Sequence, residues 1–342
     1  MIKEDPNAIP KLLRDYVNYN INLNKSPNTI KEYQYDLVRF LKFMVALSNG
    51  TKPKDIDFEK ISIYKIDSTF LSRIDDSDIY EYMSYLATTL SLGPATRARK
   101  LAAIKGFFKY LNVKVHVLDV NPAKDIETPK INKRLPKYLS ISESRKLLKT
   151  AKEDNKNQAS RLKDPNKELT EHQKNLGIRD HAIVTLFLNC GMRLSELVGI
   201  NIDHIKFDEA ILTVIGKGNK QRTVYLNKAC INAINEYLET RPTILGPDSN
   251  ALFLSERKRR ISKRMVQTAI TEYLEAAGLK GYSTHKLRHT AATLMYQNGV
   301  DVRALQEILG HENIGTTEIY THVDNYQIRQ AMENNPLADI DV

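Results

Sequence analysis

The chain has 342 residues, 42% of them hydrophobic, which suffices for two domains with their own cores and excludes a disordered chain. A formal net charge of +10 favours an anionic partner, with nucleic acid ahead of a membrane surface. Two cysteines, Cys190 and Cys230, exclude a disulfide framework and a zinc-ligand pattern, and no apolar run approaches the roughly 18 residues of a membrane span.

The start, MIKEDPNAIPK, mixes charge and proline and does not read as a signal peptide, so a reducing cytoplasm is the expected compartment. SPNTIKEYQYDLVRFLKFMVAL predicts a helix capped by Ser26 or Asn28, with Ile30, Tyr33, Leu37, Phe40, Leu41 and Met44 at the helical period. A charged, Gly- and Pro-containing loop follows over residues 48–65. DSDIYEYMSYLATTL predicts a second helix capped by Asp or Ser. GPATRARKLAAIKGFFKYLNV predicts a third, with Leu101, Ile104, Phe107, Phe108 and Leu111 on one face and Arg97, Arg99, Lys100, Lys105 and Lys109 on the rest. Residues 1–115 are thus expected to form a small all-helical module with a basic surface.

Residues 116–137 form the expected basic linker, where Pro129 and Pro136 stand among Lys130, Lys133, Arg134 and Lys137. Its charge suits a strap along a phosphate backbone and equally a solvated tether. The second domain, 138–342, opens with a helix in SISESRKLLKTAKE, and residues 153–175 read as a polar, mobile insertion. IRDHAIVTLFLNCGMRLSELVGI predicts an apolar helix that carries Cys190 as a buried thiol, breaks at Gly191 and resumes at Met192 or Arg193. EAILTVIGKGNKQRTVYLN predicts a two-stranded hairpin. Helices are expected at 228–240, at 262–278 and in the segment after Gly281. The fold class is therefore mainly α with a small antiparallel sheet: an all-helical N-terminal domain and an α+β second domain.

Several residues carry chemistry. His285 and Arg288, three apart, share a helix face and can address one anion, while Leu287 enters the core. His289 lies four after His285 and fits an HxxxH metal pair, but no glutamate follows the first histidine and Arg288 would repel an ion, so no metal is expected. Arg193 follows the glycine break, and Glu196 three residues later can hold it while its outer edge meets a phosphate; a purely structural pair is the alternative. Lys217 sits between glycines at the hairpin turn, in a pattern that is not a Walker loop, so no nucleotide cofactor is expected. His311 follows Gly310 past a helix end, and Tyr320 comes nine residues later.

Taken singly, each of these fits an ordinary structural role. The ordered set GxRxSEL, GKG hairpin, HxLRH, LGH and Tyr resembles the tyrosine recombinase/integrase family, Xer-type subgroup, over nearly the whole chain. The helices SPNTIKEYQYDLVRFLKF and TRARKLAAIKGFFKYL resemble that family's core-binding domain. The resemblance implies the catalytic set Arg193, Lys217, His285, Arg288, His311 and Tyr320, with Glu196 behind Arg193 and His289 as a structural hydrogen-bonding residue. It implies site-specific strand exchange through a 3′-phosphotyrosyl intermediate, without metal, ATP or other cofactor. The partner is double-stranded DNA, gripped at its phosphates by Arg97, Arg99, Lys100, Lys105, Lys130, Lys133 and Arg134. The C-terminal tail after Tyr320 is expected to dock on a neighbouring subunit in a cyclic homo-tetramer, or else to pack on its own domain. The loop at 48–65 and the insertion at 153–175 are longer than the subgroup's usual connections. Chromosome dimer resolution and mobile-element integration or excision both fit, as does dependence on a second recombinase or an accessory protein. A type IB topoisomerase and a non-catalytic DNA-binding protein on the same scaffold are the alternatives to be tested.

Overall fold

The structure, a computed structural model, describes residues 9–131, 137–153, 171–216 and 220–310. The chain divides into two compact units, Met1–Lys133 and Arg134–Val342.

The first unit is helical: α1 (Lys11–Asn22), α2 (Pro27–Ser48), α3 (Ser68–Leu71), α4 (Asp76–Thr88) and α5 (Pro94–Lys109), ending in a π turn at Tyr110–Lys114. The helix starts follow capping chemistry. Ser26 accepts the Thr29 N–H at 3.2 Å with Pro27 in the first turn, and Asp75 and Asp78 form a reciprocal capping box on α4. Leu37, Phe40, Leu41, Leu101, Ile104, Phe107 and Phe108 are fully buried, as the helical periods require. Tyr82 anchors this core edge-on against Phe40 and Phe43 at 5.3 and 5.0 Å, and burial holds its phenol far above the usual tyrosine range. Helix α1, which was not among the expected helices, packs so closely that a Cβ on Gly106 of α5 would lie 2.6 Å from the Tyr16 hydroxyl. Leu118, Ala123 and Ile126, expected in the linker, belong to this core. The Asn112 amide donates to the carbonyls of Leu118 and Asp119, both at 2.9 Å, and turns the chain back onto the helices.

The second unit begins with α6 (Ile141–Lys152), again under a capping box, here Ser140 with Glu143. Helix α7 (Glu171–Cys190) starts inside the segment expected to be a mobile insertion. Residues 171–175 are therefore helical, and only 154–170 of that expectation lie outside the described residues. The first N–H groups of a helix lack intrahelical partners, and the polar residues upstream of the apolar run carry this turn at the surface, where Glu171 and Lys174 are exposed. After α7 come α8 (Leu194–Val198), a sheet, α9 (Lys228–Thr240), α10 (Lys263–Ala276), α11 (Thr284–Gln297) and α12 (Val302–Leu309). The expected hairpin is β2 (Ile211–Ile215) with β3 (Gln221–Tyr225), and a short β1 (Ile205–Lys206) adds an unforeseen third antiparallel strand in the order β1-β2-β3. In this register Leu212 faces Val224 and Val214 faces Arg222. The core gathers Phe187 of α7, Ile234 and Tyr237 of α9, Tyr273 of α10, Leu287 of α11 and Phe253, which stacks on Tyr237 at 5.4 Å. Cys190 and Cys230 are buried free thiols with sulfurs 3.6 Å apart. Among the described residues no helix is long and apolar enough to cross a membrane.

Candidate active site

The site is built where α7, α8, α11 and α12 end or begin. Gly191 closes α7 with φ +57°, and a Cβ there would meet the Leu309 side chain at 2.9 Å. Its carbonyl accepts Arg288 Nη1 at 2.7 Å. Two residues later Arg193 is the N-cap of α8, and Glu196, at the third helical position, reaches back to accept the Arg193 backbone N–H at 2.7 Å. The same carboxylate takes Arg193 Nη1 on Oε1 at 2.8 Å, as the sequence spacing predicts.

Glu196 does more than hold one arginine. Its side chain is completely buried, and its Oε2 also accepts Arg222 Nη2 from β3 at 2.8 Å. Arg288 Nη1 stands 3.9 Å from that oxygen. Burial pushes the carboxyl pKa up, but the hydrogen bonds and charges of Arg222 and Arg193 outweigh it and hold Glu196 below the usual carboxylate range.

The three arginines meet again at the C-terminal end of α12. A helix leaves its last carbonyls without intrahelical donors, and cations are favoured there. Arg222 Nη1 donates to the Ile308 carbonyl, Arg288 Nη2 to Leu309 at 2.7 Å and Arg193 Nη2 to Gly310 at 2.7 Å. Gly310 ends the helix left-handed at φ +63°, as the LGH motif suggests, and a Cβ on it would lie 2.6 Å from Arg222 Cδ.

Above this framework an open cleft of about 500 Å³ is lined by Arg193, Leu194, Ser195, His285, Arg288 and His289, with Lys263 and Gln267 of α10. His285 and Arg288 thus share one face of α11, as expected, and the buried Leu287 faces the core. His289 is half-buried in the cleft wall; burial first, then Arg288 and His285, hold its pKa below the usual histidine range and favour the neutral ring. A cationic, hydrogen-donating concavity of this size accommodates a phosphodiester. Lys217, His311 and Tyr320 lie outside the described residues, but Gly216 and Gly310, which precede the first two, stand beside Glu196 and Arg222 respectively. Sequence reasoning missed Arg222, Lys263 and Gln267. Lys263 and Gln267 stand four apart just after the Ser262 cap, which is a readable one-face signal, whereas nothing local marks Arg222.

In the first unit Arg97 and Lys130 line one open cleft, and the Arg97 Nε is buried without a partner among the described residues. Lys100 is different: it is buried, with its ammonium 2.6 Å from the fully buried Asp36. Arg99 also donates to Asp36 at 2.6 Å and keeps an edge exposed. Lys100 is therefore committed to an internal ion pair here, because a buried carboxylate on α2 demands a counter-charge. Lys105 is half-buried and Lys130 exposed, while Lys133 and Arg134 lie outside the described residues.

The phage integrase family matches residues 126–327, and the N-terminal SAM-like domain of phage integrases matches residues 13–114. A tyrosine recombinase XerC from Caldanaerobacter subterraneus subsp. tengcongensis is 47% identical over 333 residues, 96% of this chain and 88% of the relative. The XerC of Pelobacter propionicus is 35% identical over 301 residues, 88% of this chain and 86% of the relative. Among solved structures, XerH site-specific recombinase bound to palindromic difH substrate has a similar fold, with a TM-score of 0.66 at 20% identity and 98% of each chain covered. The Tn1549 transposon integrase in complex with circular intermediate DNA has a TM-score of 0.68 at 17% identity, covering 95% of this chain and 100% of that one. A helical N-terminal unit, an α+β unit with paired arginines over a buried glutamate, and relatives matched along almost their whole length agree: the chain belongs to the phage integrase family and, within it, to the Xer-type tyrosine recombinases, enzymes that transfer DNA strands.

Proposed function

We propose that the cleft binds the scissile phosphate of a recombination site and that Tyr320 attacks it. The phenol oxygen forms a bond to phosphorus, the bond to the 5′-oxygen breaks, and a 3′-phosphotyrosyl enzyme and a 5′-hydroxyl result. A 5′-hydroxyl from a second duplex then reverses the step. One phosphodiester replaces another of similar energy, so the exchange needs no nucleotide hydrolysis.

Arg193 and Arg288 clamp the non-bridging oxygens and stabilise the charge that shifts onto them. Phenols have a reference pKa of about 10, so roughly one in a thousand is ionised at pH 7 and the proton must leave during attack. His285 is assigned as the base. Lys217 is assigned as the acid that protonates the leaving 5′-oxygen, and His311 as a donor to the phosphate. Glu196 and His289 act behind these groups, and Lys263 and Gln267 contact the phosphate backbone at the rim. Arg97, Arg99, Lys105 and Lys130, with Lys133 and Arg134, supply phosphate contacts away from the reacting centre, while Lys100 braces Arg99 through Asp36. The reading carries to a cyclic tetramer on two duplexes joined by C-terminal tails, and to a cytoplasmic enzyme serving either chromosome dimer resolution or a mobile element.

The convergence of Arg193, Arg288 and His285 on one cleft over a shared carboxylate carries this reading. The test is incubation with randomised nicked duplexes, trapping of covalent protein–DNA adducts and sequencing of the trapped DNA. Wild type is expected to form an adduct and Tyr320→Phe to bind DNA without one; an adduct in both would refute Tyr320 as nucleophile. Products joined between two duplexes separate recombination from nicking and resealing, and the sequences tell a chromosomal site from an element end.

A further inference from the structure

Arg222 presents an unusual combination of contacts. It stands on β3, opposite Val214 and next to the hairpin turn. Its side chain is only 13% exposed and does not line the cleft, so it touches no DNA placed there. Yet its guanidinium bridges the two features that hold both cleft arginines: the Glu196 carboxylate and the C-terminal end of α12.

Charge makes this bridge consequential. Glu196 is a fully buried anion with Arg193 at 2.8 Å and Arg288 at 3.9 Å. Were those its only neighbours, their positive charge would be spent on the carboxylate, and Arg288 would be drawn toward it. A third guanidinium on Oε2 supplies the compensating charge. The same side chain takes the Ile308 carbonyl, so its neighbours Leu309 and Gly310 stay aligned on Arg288 and Arg193. Gly310 has no side chain because the Arg222 stem occupies the place where a Cβ would stand.

We infer that Arg222 is a positioning residue for strand cleavage: it neutralises Glu196 and pins the end of α12, so that Arg193 and Arg288 keep their charge and aim for the scissile phosphate. This rests on the cleavage reading proposed above.

The test uses the full chain, a nicked duplex containing a recombination site, single-turnover adduct formation at saturating DNA, and DNA affinity by fluorescence anisotropy. Arg222→Ala is expected to slow adduct formation by roughly 10²-fold, the scale of a misplaced catalytic group, while DNA affinity changes less than about threefold. Loss of a cation beside Glu196 moves the acidic limb of the cleavage pH profile upward. Arg222→Lys, which keeps the charge but cannot span both partners, is expected to fall between wild type and Arg222→Ala, and it carries the test if the alanine variant does not fold. Glu196→Gln is expected to add less to Arg222→Ala than it costs alone, because the two changes share the Glu196 carboxylate, while the Ile308 contact belongs to Arg222 alone. Wild-type cleavage by Arg222→Ala, parallel loss of affinity and cleavage, or fully additive losses with Glu196→Gln would overturn the inference. Absence of any adduct in wild type, by contrast, would remove the cleavage reading and this inference with it.

Discussion

At the scale of single residues, Glu196 is the carboxylate on which three arginines converge. A fully buried carboxylate is tolerated because guanidinium groups from the N-cap of α8 and from β3 saturate it. Glu196→Gln leaves those cations without a counter-charge and is expected to cost roughly 3–5 kcal/mol in denaturant unfolding. The sign of its pH dependence follows from its lowered pKa. Its stabilisation is complete above the unfolded carboxylate value of about 4.3 and is lost as pH falls through the folded value. Unfolding curves between pH 3 and 6 should show an acid-side loss in wild type that is smaller in Glu196→Gln. On the proposed cleavage reading, Arg193→Ala or Arg288→Ala each removes a donor that stabilises charge on the phosphate. A loss of roughly 10²–10³ in the single-turnover adduct rate is expected, with a smaller loss in DNA binding. The Arg193–Glu196 pair was legible because both residues lie on one turn. Arg222 was not, because its partner is 26 residues away and only the β2–β3 register brings it there.

At the scale of elements, two glycines record close approaches that composition does not reveal. Gly310 ends α12 at φ +63° with Arg222 Cδ 2.6 Å from its missing Cβ. Gly310→Ala is expected to cost about 1–2 kcal/mol for the left-handed backbone alone, measured by thermal or urea unfolding. It should also slow adduct formation by displacing the Arg222 stem. Gly106 lets α5 accept α1, and its Cβ would meet Tyr16 Oη at 2.6 Å. Gly106→Ala is expected to destabilise the N-terminal unit in spite of alanine's better helix propensity, and Tyr16→Phe should recover part of that loss by removing the clashing hydroxyl. Helix starts, by contrast, were readable one by one. Ser26 caps its helix as expected, whereas the second helix is capped by Asp75, one residue before the stretch expected to hold the cap, and Ser140 and Ser262 cap theirs by the same local chemistry, since a cap needs only its own next three residues.

For the whole molecule, the net charge of +10 and the basic residues of the first unit predict an affinity dominated by phosphate contacts. Log affinity should fall linearly with log salt, and Lys130→Ala should weaken binding to all sequences alike while reducing the slope by about one. Lys100→Ala is expected to behave differently, lowering the stability of the N-terminal unit by leaving Asp36 short of one cation, because its ammonium already belongs to that carboxylate. A slope change from Lys100→Ala as large as that from Lys130→Ala would show that the ion pair opens on DNA.

The sequence by itself determined a helical unit followed by an α+β unit, most of the helices, the hairpin and the order of the chemistry-bearing motifs. Each depends on periodicity, caps or spacing within a few residues. Tertiary structure alone decided which cations face a cleft and which are spent inside. Arg193 and Arg288 reach the cleft because Glu196 and the carbonyls of α12 hold them from behind. Arg222 and Lys100, basic residues like the others in sequence, are turned inward by buried carboxylates. A charge's role is set by what lies within a few ångströms of it in space, and distant segments of the chain supply those neighbours.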